Sequence, residues 1–202
     1  MSNILISLDP SYTRTGICIL NLDTKEFEFY TASEKIGEKQ FENVYRAAKS
    51  IVLQLKDIFS KYEDYDLISE SPLPCSSMSS ALYGLDVLIM REFESHFKQT
   101  YNPATLRSKI HGHKYEKSDS VNLANKYLNI LSKSGYKVTS VLGNKKKIPH
   151  DCCESLLYLQ LYLHDNGHKD FQFDNHEDIE AFKLRKKELK RREKLLLENK
   201  EI

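Results

Sequence analysis

The chain has almost no net charge: 30 basic and 29 acidic side chains leave +1 over 202 residues. There is therefore no global basic field of the kind that draws a protein onto nucleic acid, and any such surface has to be made by local segregation of charge. No apolar run approaches the ~18 residues of a membrane span, and no basic region precedes a long apolar core at the N-terminus, so neither an anchor nor a signal peptide is expected. Cys18, Cys75, Cys152 and Cys153 lack the paired spacing of a zinc site or of a secreted disulfide framework, and a bond between the adjacent pair would be strained. They read as reduced thiols of an intracellular protein. Internal repeats and low-complexity tracts are also absent.

What is present begins with residues 4–20, Ile4-Leu5-Ile6-Ser7-Leu8-Asp9-Pro10-Ser11-Tyr12-Thr13-Arg14-Thr15-Gly16-Ile17-Cys18-Ile19-Leu20. An apolar run of strand formers delivers Asp9 to a Pro-Ser turn, and Thr15-Gly16 starts a second run of the same kind. This predicts a strand, a tight corner and a returning strand. A carboxylate at the mouth of a buried strand is costly to desolvate unless a cation or strong donors meet it; taken alone, Asp9 serves an Asx-type turn.

The alternation of Glu26-Phe27-Glu28-Phe29-Tyr30-Thr31 predicts a third strand of a meander. Over 39–62 the apolar residues Phe41, Val44, Tyr45, Ala48, Ile51, Val52, Leu55, Ile58 and Phe59 fall three and four apart, as on an amphipathic helix lying on a sheet. Asp66-Leu67-Ile68-Ser69-Glu70 is a short strand stopped by Pro72 and Pro74, which leaves Glu70 at its carboxyl end. A helix over 76–97, with a possible break at Gly84, an edge strand over 101–106, a helix over 118–131 and a last strand over 136–142 follow from the same patterns. Residues 107–117 form a basic, aromatic-containing loop, and 143–149 another. The helix expected over 150–163 carries Asp151 and Glu154 three apart, on one face of its first turns, and ends at Asn166-Gly167. On their own, those two acids favour the positive end of a helix dipole. The chain is long enough for one domain of ~150 residues and an appendage. The composition divides it into 1–167 and a charged, helical extension over 168–202, which has eight basic residues and two acids between Lys183 and Lys194.

Asp9, Glu70, Asp151 and Glu154 form a set. If the first and fourth strands are neighbours, their carboxyl ends and a helix packed on them meet in one crevice. Carboxylates that close repel unless cations intervene, and hard oxygen donors suit Mg²⁺ or Mn²⁺. Two such ions ~3.5–4 Å apart would clamp an in-line phosphodiester cleavage.

The chain resembles the RuvC-type Holliday junction resolvases of the RNase H-like superfamily, in their phage and viral form. The matching residues are Ile4 to Ser11 with Thr15-Gly16, then Leu67-Ile68-Ser69-Glu70 followed by Ser80-Ala81-Leu82-Tyr83-Gly84-Leu85, and His150-Asp151-Cys152-Cys153-Glu154-Ser155-Leu156, over roughly residues 1–165. The resemblance implies an α/β, RNase H-like mixed sheet, an antiparallel three-stranded meander plus parallel strands, flanked by helices. It implies a structure-selective, Mg²⁺-dependent crossover junction endodeoxyribonuclease with two ions per site, Mn²⁺ substituting, that leaves 5′-phosphate and 3′-hydroxyl ends. Asp9, Glu70, Asp151 and Glu154 would be catalytic metal ligands. The partners implied are branched DNA and a second copy in a homodimer, in the cytoplasm of a bacterial or infected host cell. The loop with Arg107, Lys109, Lys114 and Lys117 resembles the family's DNA-facing region, with Lys109 or Lys117 in the place of its functional lysine. Lys145, Lys146 and Lys147 would add phosphate contacts, because a site of four acids repels DNA. Tyr83 and Tyr115 are candidates for stacking on an unpaired base. Glu154 stands where the family more often has Asp, and no glycine follows Asp9-Pro10.

Two other readings remain at this stage. One is an RNA-processing nuclease of the same superfamily, which Asp9 through Gly16 with Arg14 also resembles. The other is a non-catalytic junction-binding protein whose acids only cap and buttress. A sugar-kinase-like or actin-like ATPase shares the Asp-turn-Gly hairpin, but this chain is short for one and has no second glycine-rich phosphate turn.

Overall fold

The structure, a computed structural model, describes residues 2–35, 41–71, 79–103, 117–141 and 147–171. Strands β1 (Ile4–Asp9), β2 (Thr15–Asn21) and β3 (Glu26–Ala32) make the expected antiparallel meander. The tight corner between β1 and β2 is closed by Thr15, whose hydroxyl donates to the Ser11 carbonyl at 2.8 Å and accepts from the Ser11 amide at 3.1 Å. β4 (Asp66–Glu70) lies parallel to β1, β5 (Phe97–Tyr101) parallel to β4, and β6 (Lys137–Val141) parallel to β3. The six-stranded order is β5-β4-β1-β2-β3-β6. With the four α-helices of the described residues, α1 (Phe41–Phe59), α2 (Ser79–Glu92), α3 (Lys117–Lys133) and α4 (His150–Asp165), this is an RNase H-like α/β fold.

The sheet is buried on both faces, so its central strands are apolar throughout and their side chains are shared out with period two. Ile6, Leu8, Ile17, Ile19 and Leu67 face one core with α1 and α2, to which α1 contributes Ala48, Ile51, Val52, Leu55 and Phe59. Tyr45, part of the same helical pattern, is instead 53% exposed. Leu5, Cys18, Leu20, Phe27, Phe29 and Ile68 face the other core with α3 and α4. Burial of each large apolar side chain contributes about 1.5–3 kcal/mol, and truncating a fully buried one such as Leu55 to Ala costs about 2–5 kcal/mol. In α4 every residue from Cys152 to Leu163 is buried, so the helix has no solvent face and its acids stand at its start. Gly167 follows with φ +76°, the left-handed turn expected after Asn166.

One stretch departs from the sequence reading. The helix expected over 76–97 runs through Gly84 without a break and ends at Glu92; a 3₁₀ turn, Glu94–His96, then leads into β5 at Phe97, ahead of the edge strand expected over 101–106. Ile89, Phe93 and Phe97 keep helical spacing, but pairing of Leu67–Glu70 with Phe97–Tyr101 gives that backbone a ladder. Phe93 turns in against Phe59, ring centroids 5.1 Å apart, and His96 stacks on Tyr65 at 4.0 Å. Tertiary pairing overrides the local pattern. Cys18, Cys152 and Cys153 are free thiols, as expected; Cys75 lies outside the described residues.

Candidate active site

The period-two alternation decides which residues share a face. Asp9 follows Leu5 and Ser7 on the α4 side of β1, and Glu70 follows Ile68 on the same side of β4. Because β1 and β4 are parallel with Leu8 opposite Ser69, their last residues, Asp9 and Glu70, are brought side by side. In β2 the residue opposite Asp9 is Gly16, again on the α4 side. A Cβ on Gly16 would stand 2.1 Å from the carbonyl oxygen of Asp151 and 2.6 Å from the Cys152 nitrogen. Only a glycine admits the first turn of α4 against the strand at this point, and that close approach carries Asp151 and Glu154 to the acids of the sheet.

The electrostatics record the convergence. The Asp9 carboxyl is pushed well above its ordinary range, first by burial, then by the charge of Glu70 and a hydrogen bond to it, and then by the charges of Glu154 and Asp151. Each remaining acid has a protein partner. Tyr158 donates to Glu70 Oε2 at 2.9 Å, and burial followed by the charges of Glu70 and Asp9 holds that phenol firmly protonated. Buried Ser120, on α3, donates to Glu154 Oε1 at 2.6 Å. The Arg14 Nε–H donates to Asp151 Oδ2 from the β1–β2 corner. His150 stands between the helix acids, 3.6 Å from Asp151 Oδ1 and 3.4 Å from Glu154 Oε1.

Among the described residues no three His, Cys, Asp or Glu side chains are arranged to hold a metal ion as they stand. Their chemistry nevertheless fits one. Four carboxylates near enough for three of them to act on the charge of Asp9 offer hard oxygen donors, and the ionised form of Asp9 is opposed by burial and by those neighbours, a cost that a divalent cation would relieve. Arg14 and His150 meanwhile supply cationic or polar partners to the helix acids.

The structure thus brings together Asp9, Glu70, Asp151 and Glu154. Of the proposed DNA contacts, Arg107, Lys109, Lys114, Lys145 and Lys146 lie outside the described residues, as does Tyr115. Lys117 opens α3, and Lys147 is exposed just ahead of α4. Tyr83 is 60% exposed on α2. Sequence reasoning missed Gly16, Ser120 and Tyr158 as parts of the site. Tyr158 had a signal, since it follows Glu154 by four and Asp151 by seven on one helix face; Ser120 had none, because its partner is distant in sequence.

Two solved structures share this arrangement of elements. A Thermus thermophilus RuvC structure is 11% identical, with a TM-score of 0.55 over 81% of this chain and 96% of that one. The T. thermophilus RuvC solved in complex with a Holliday junction substrate is 9% identical, with a TM-score of 0.52 over 82% of this chain and 97% of that one. The fold is RuvC-like. At this identity the likeness extends to the RuvC-like sheet and helix order and not to individual side chains. No protein-family model and no curated protein sequence matches the chain. Among the described residues no helix is long and apolar enough to cross a membrane.

Proposed function

We propose that this chain is a metal-dependent endonuclease that cuts branched DNA such as four-way junctions. The observation that carries the reading is the convergence of four carboxylates from β1, β4 and α4, registered in the raised proton affinity of Asp9. The RuvC-like fold supports it, one of the two similar structures being that of RuvC with a Holliday junction substrate.

Asp9, Glu70, Asp151 and Glu154 would hold Mg²⁺, two ions with Mn²⁺ as a substitute, and the bound cation would supply water activation and stabilisation of the leaving oxygen. The chain's own residues do the positioning. Tyr158 and Ser120 each donate to one oxygen of Glu70 and Glu154, fixing the carboxylate planes. Gly16 keeps the start of α4 against β2. Arg14, 46% exposed and fixed at one edge by Asp151, has a guanidinium suited to a phosphate oxygen beside the acids. Lys147 and the basic residues Arg107, Lys109, Lys114, Lys117, Lys145 and Lys146 offset the repulsion between DNA and the acids. A homodimer would set two such sites on opposite strands of a junction, the products carrying 5′-phosphate and 3′-hydroxyl ends, with 1–167 as the nuclease domain and 168–202 as a charged extension.

The test is cleavage of a labelled four-way junction beside a linear duplex, a Y-fork and an RNA stem, in Mg²⁺ and in EDTA, by the wild type and Asp9→Asn. Metal-dependent paired nicks in the junction that vanish in the variant, with junction binding retained, are expected. Binding without cutting in any metal would favour a junction-binding protein, and cutting confined to the RNA stem an RNA-processing nuclease.

A further inference from the structure

On the outer side of Glu70 a pocket of about 460 Å³ opens between α2 and the β4–β5 edge of the sheet. Its walls include Glu70, Asp86, Val87, Met90 and Phe97, with Tyr83 beside them. Asp86 is only 6% exposed, and its Oδ1 has no hydrogen-bond partner among the described residues. An acceptor left so is costly to desolvate, and a ligand donor would offset that cost. Tyr83, Val87 and Met90, at positions i, i+4 and i+7 of α2, are 60%, 44% and 46% exposed, an aromatic and apolar rim beside a polar interior.

We propose that this pocket receives one unpaired nucleobase from the strand whose phosphate lies at the four acids. The assignment rests on the nuclease reading and adds to it a base-binding subsite. A phosphate would meet the acid Glu70 and no basic side chain among the described lining residues. A neutral planar ring with N–H groups on its edge fits the remaining chemistry: Tyr83 offers a stacking face, Val87, Met90 and Phe97 take apolar surface, and Asp86 meets the Watson–Crick edge. The volume is ample for a base with its sugar. With a stacking face, an apolar wall and one buried acceptor, the pocket reads the presence of an unpaired base.

The experiment is junction binding by the full chain in EDTA, followed by anisotropy. Each branch-point nucleotide is made abasic in turn, and the sensitive one is replaced by thymine or by a thymine-shaped apolar isostere. Wild type is expected to lose about tenfold in affinity at one abasic position, the order of one stacked base, and to bind thymine severalfold more tightly than the isostere. Asp86→Leu removes the preference for thymine over its isostere, Asp86→Asn, with one donor and one acceptor, restores it, and Tyr83→Ala shrinks the abasic penalty. A role in folding alone would scale all these affinities together and leave the ratios intact. Tight junction binding indifferent to every abasic position, or a thymine preference that survives in Asp86→Leu, overturns the pocket while leaving the nuclease reading standing. Failure to bind any junction overturns both.

Discussion

The two halves of the acid cluster are held in opposite ways. Asp9 and Glu70 come from the ends of adjacent parallel strands, where register sets their separation, and Asp9 is hydrogen-bonded to Glu70 itself. Asp151 and Glu154 come from one turn of a helix, and each has a partner of another kind: Arg14 for Asp151, Ser120 for Glu154, and His150 close to both. Glu70 is also held by Tyr158, so the cost of ionisation is concentrated on Asp9, while both helix acids are buttressed. The lesson is that strand register produces the electrostatic tension a cation would relieve, while the helix contributes oxygens whose orientation is already fixed.

The comparison breaks most visibly at Asp9. Asp9→Asn is expected to lower junction cleavage by about 10³-fold, since it removes a proposed metal ligand whose charge stabilisation would be worth several kcal/mol. In metal-free buffer the same variant is expected to be more stable than wild type, and increasingly so as pH rises. The folded protein holds the Asp9 proton more tightly than the unfolded chain does, so its contribution is fully present below about 3.8 and is lost as pH climbs through the raised folded value. Melting temperatures at pH 5 and pH 8 check the sign: the gap between variant and wild type widens at pH 8.

Gly16→Ala comes next and tests whether the two halves have to touch. Its methyl overlaps the Asp151 carbonyl, so about 1–3 kcal/mol of stability is lost in urea unfolding. Cleavage falls about 10²-fold through displacement of the helix acids, measured on the fraction that remains folded. Ser120→Ala sharpens the comparison on the helix side alone. It frees one Glu154 oxygen and is expected to weaken Mg²⁺ dependence about tenfold, read as a shift in the metal concentration for half-maximal cutting. The smallest effect is expected of Arg14→Gln, a few-fold loss of cleavage with a flatter salt dependence, because a guanidinium facing both Asp151 and solvent is screened.

The meander, α1 and the places of Asp9 and Glu70 were legible because strand and helix periods differ and because two prolines follow Glu70 closely in the sequence. The adjacency of β1 and β4 entered as a condition and is observed in the sheet order. β5 was not legible: Ile89, Phe93 and Phe97 sustain a helical spacing that only pairing with β4 interrupts. The acids could be collected as a set, since each ends or begins an element. The residues that hold them were harder to see. Gly16 reads as a strand glycine until α4 is laid on it, and Ser120 reads as a helix residue until Glu154 is brought under it. These are contacts between distant segments, and no local pattern encodes them.

Binding of Mn²⁺ to the full chain, followed by the electron paramagnetic resonance signal of the free ion at pH 6 and pH 8, tests the proposed cation centre most directly. Saturable binding that tightens with pH, as the proton on Asp9 is displaced, and that is lost in Asp9→Asn is the expected result. Equal binding by wild type and Asp9→Asn, or none by either at millimolar Mn²⁺, would contradict it.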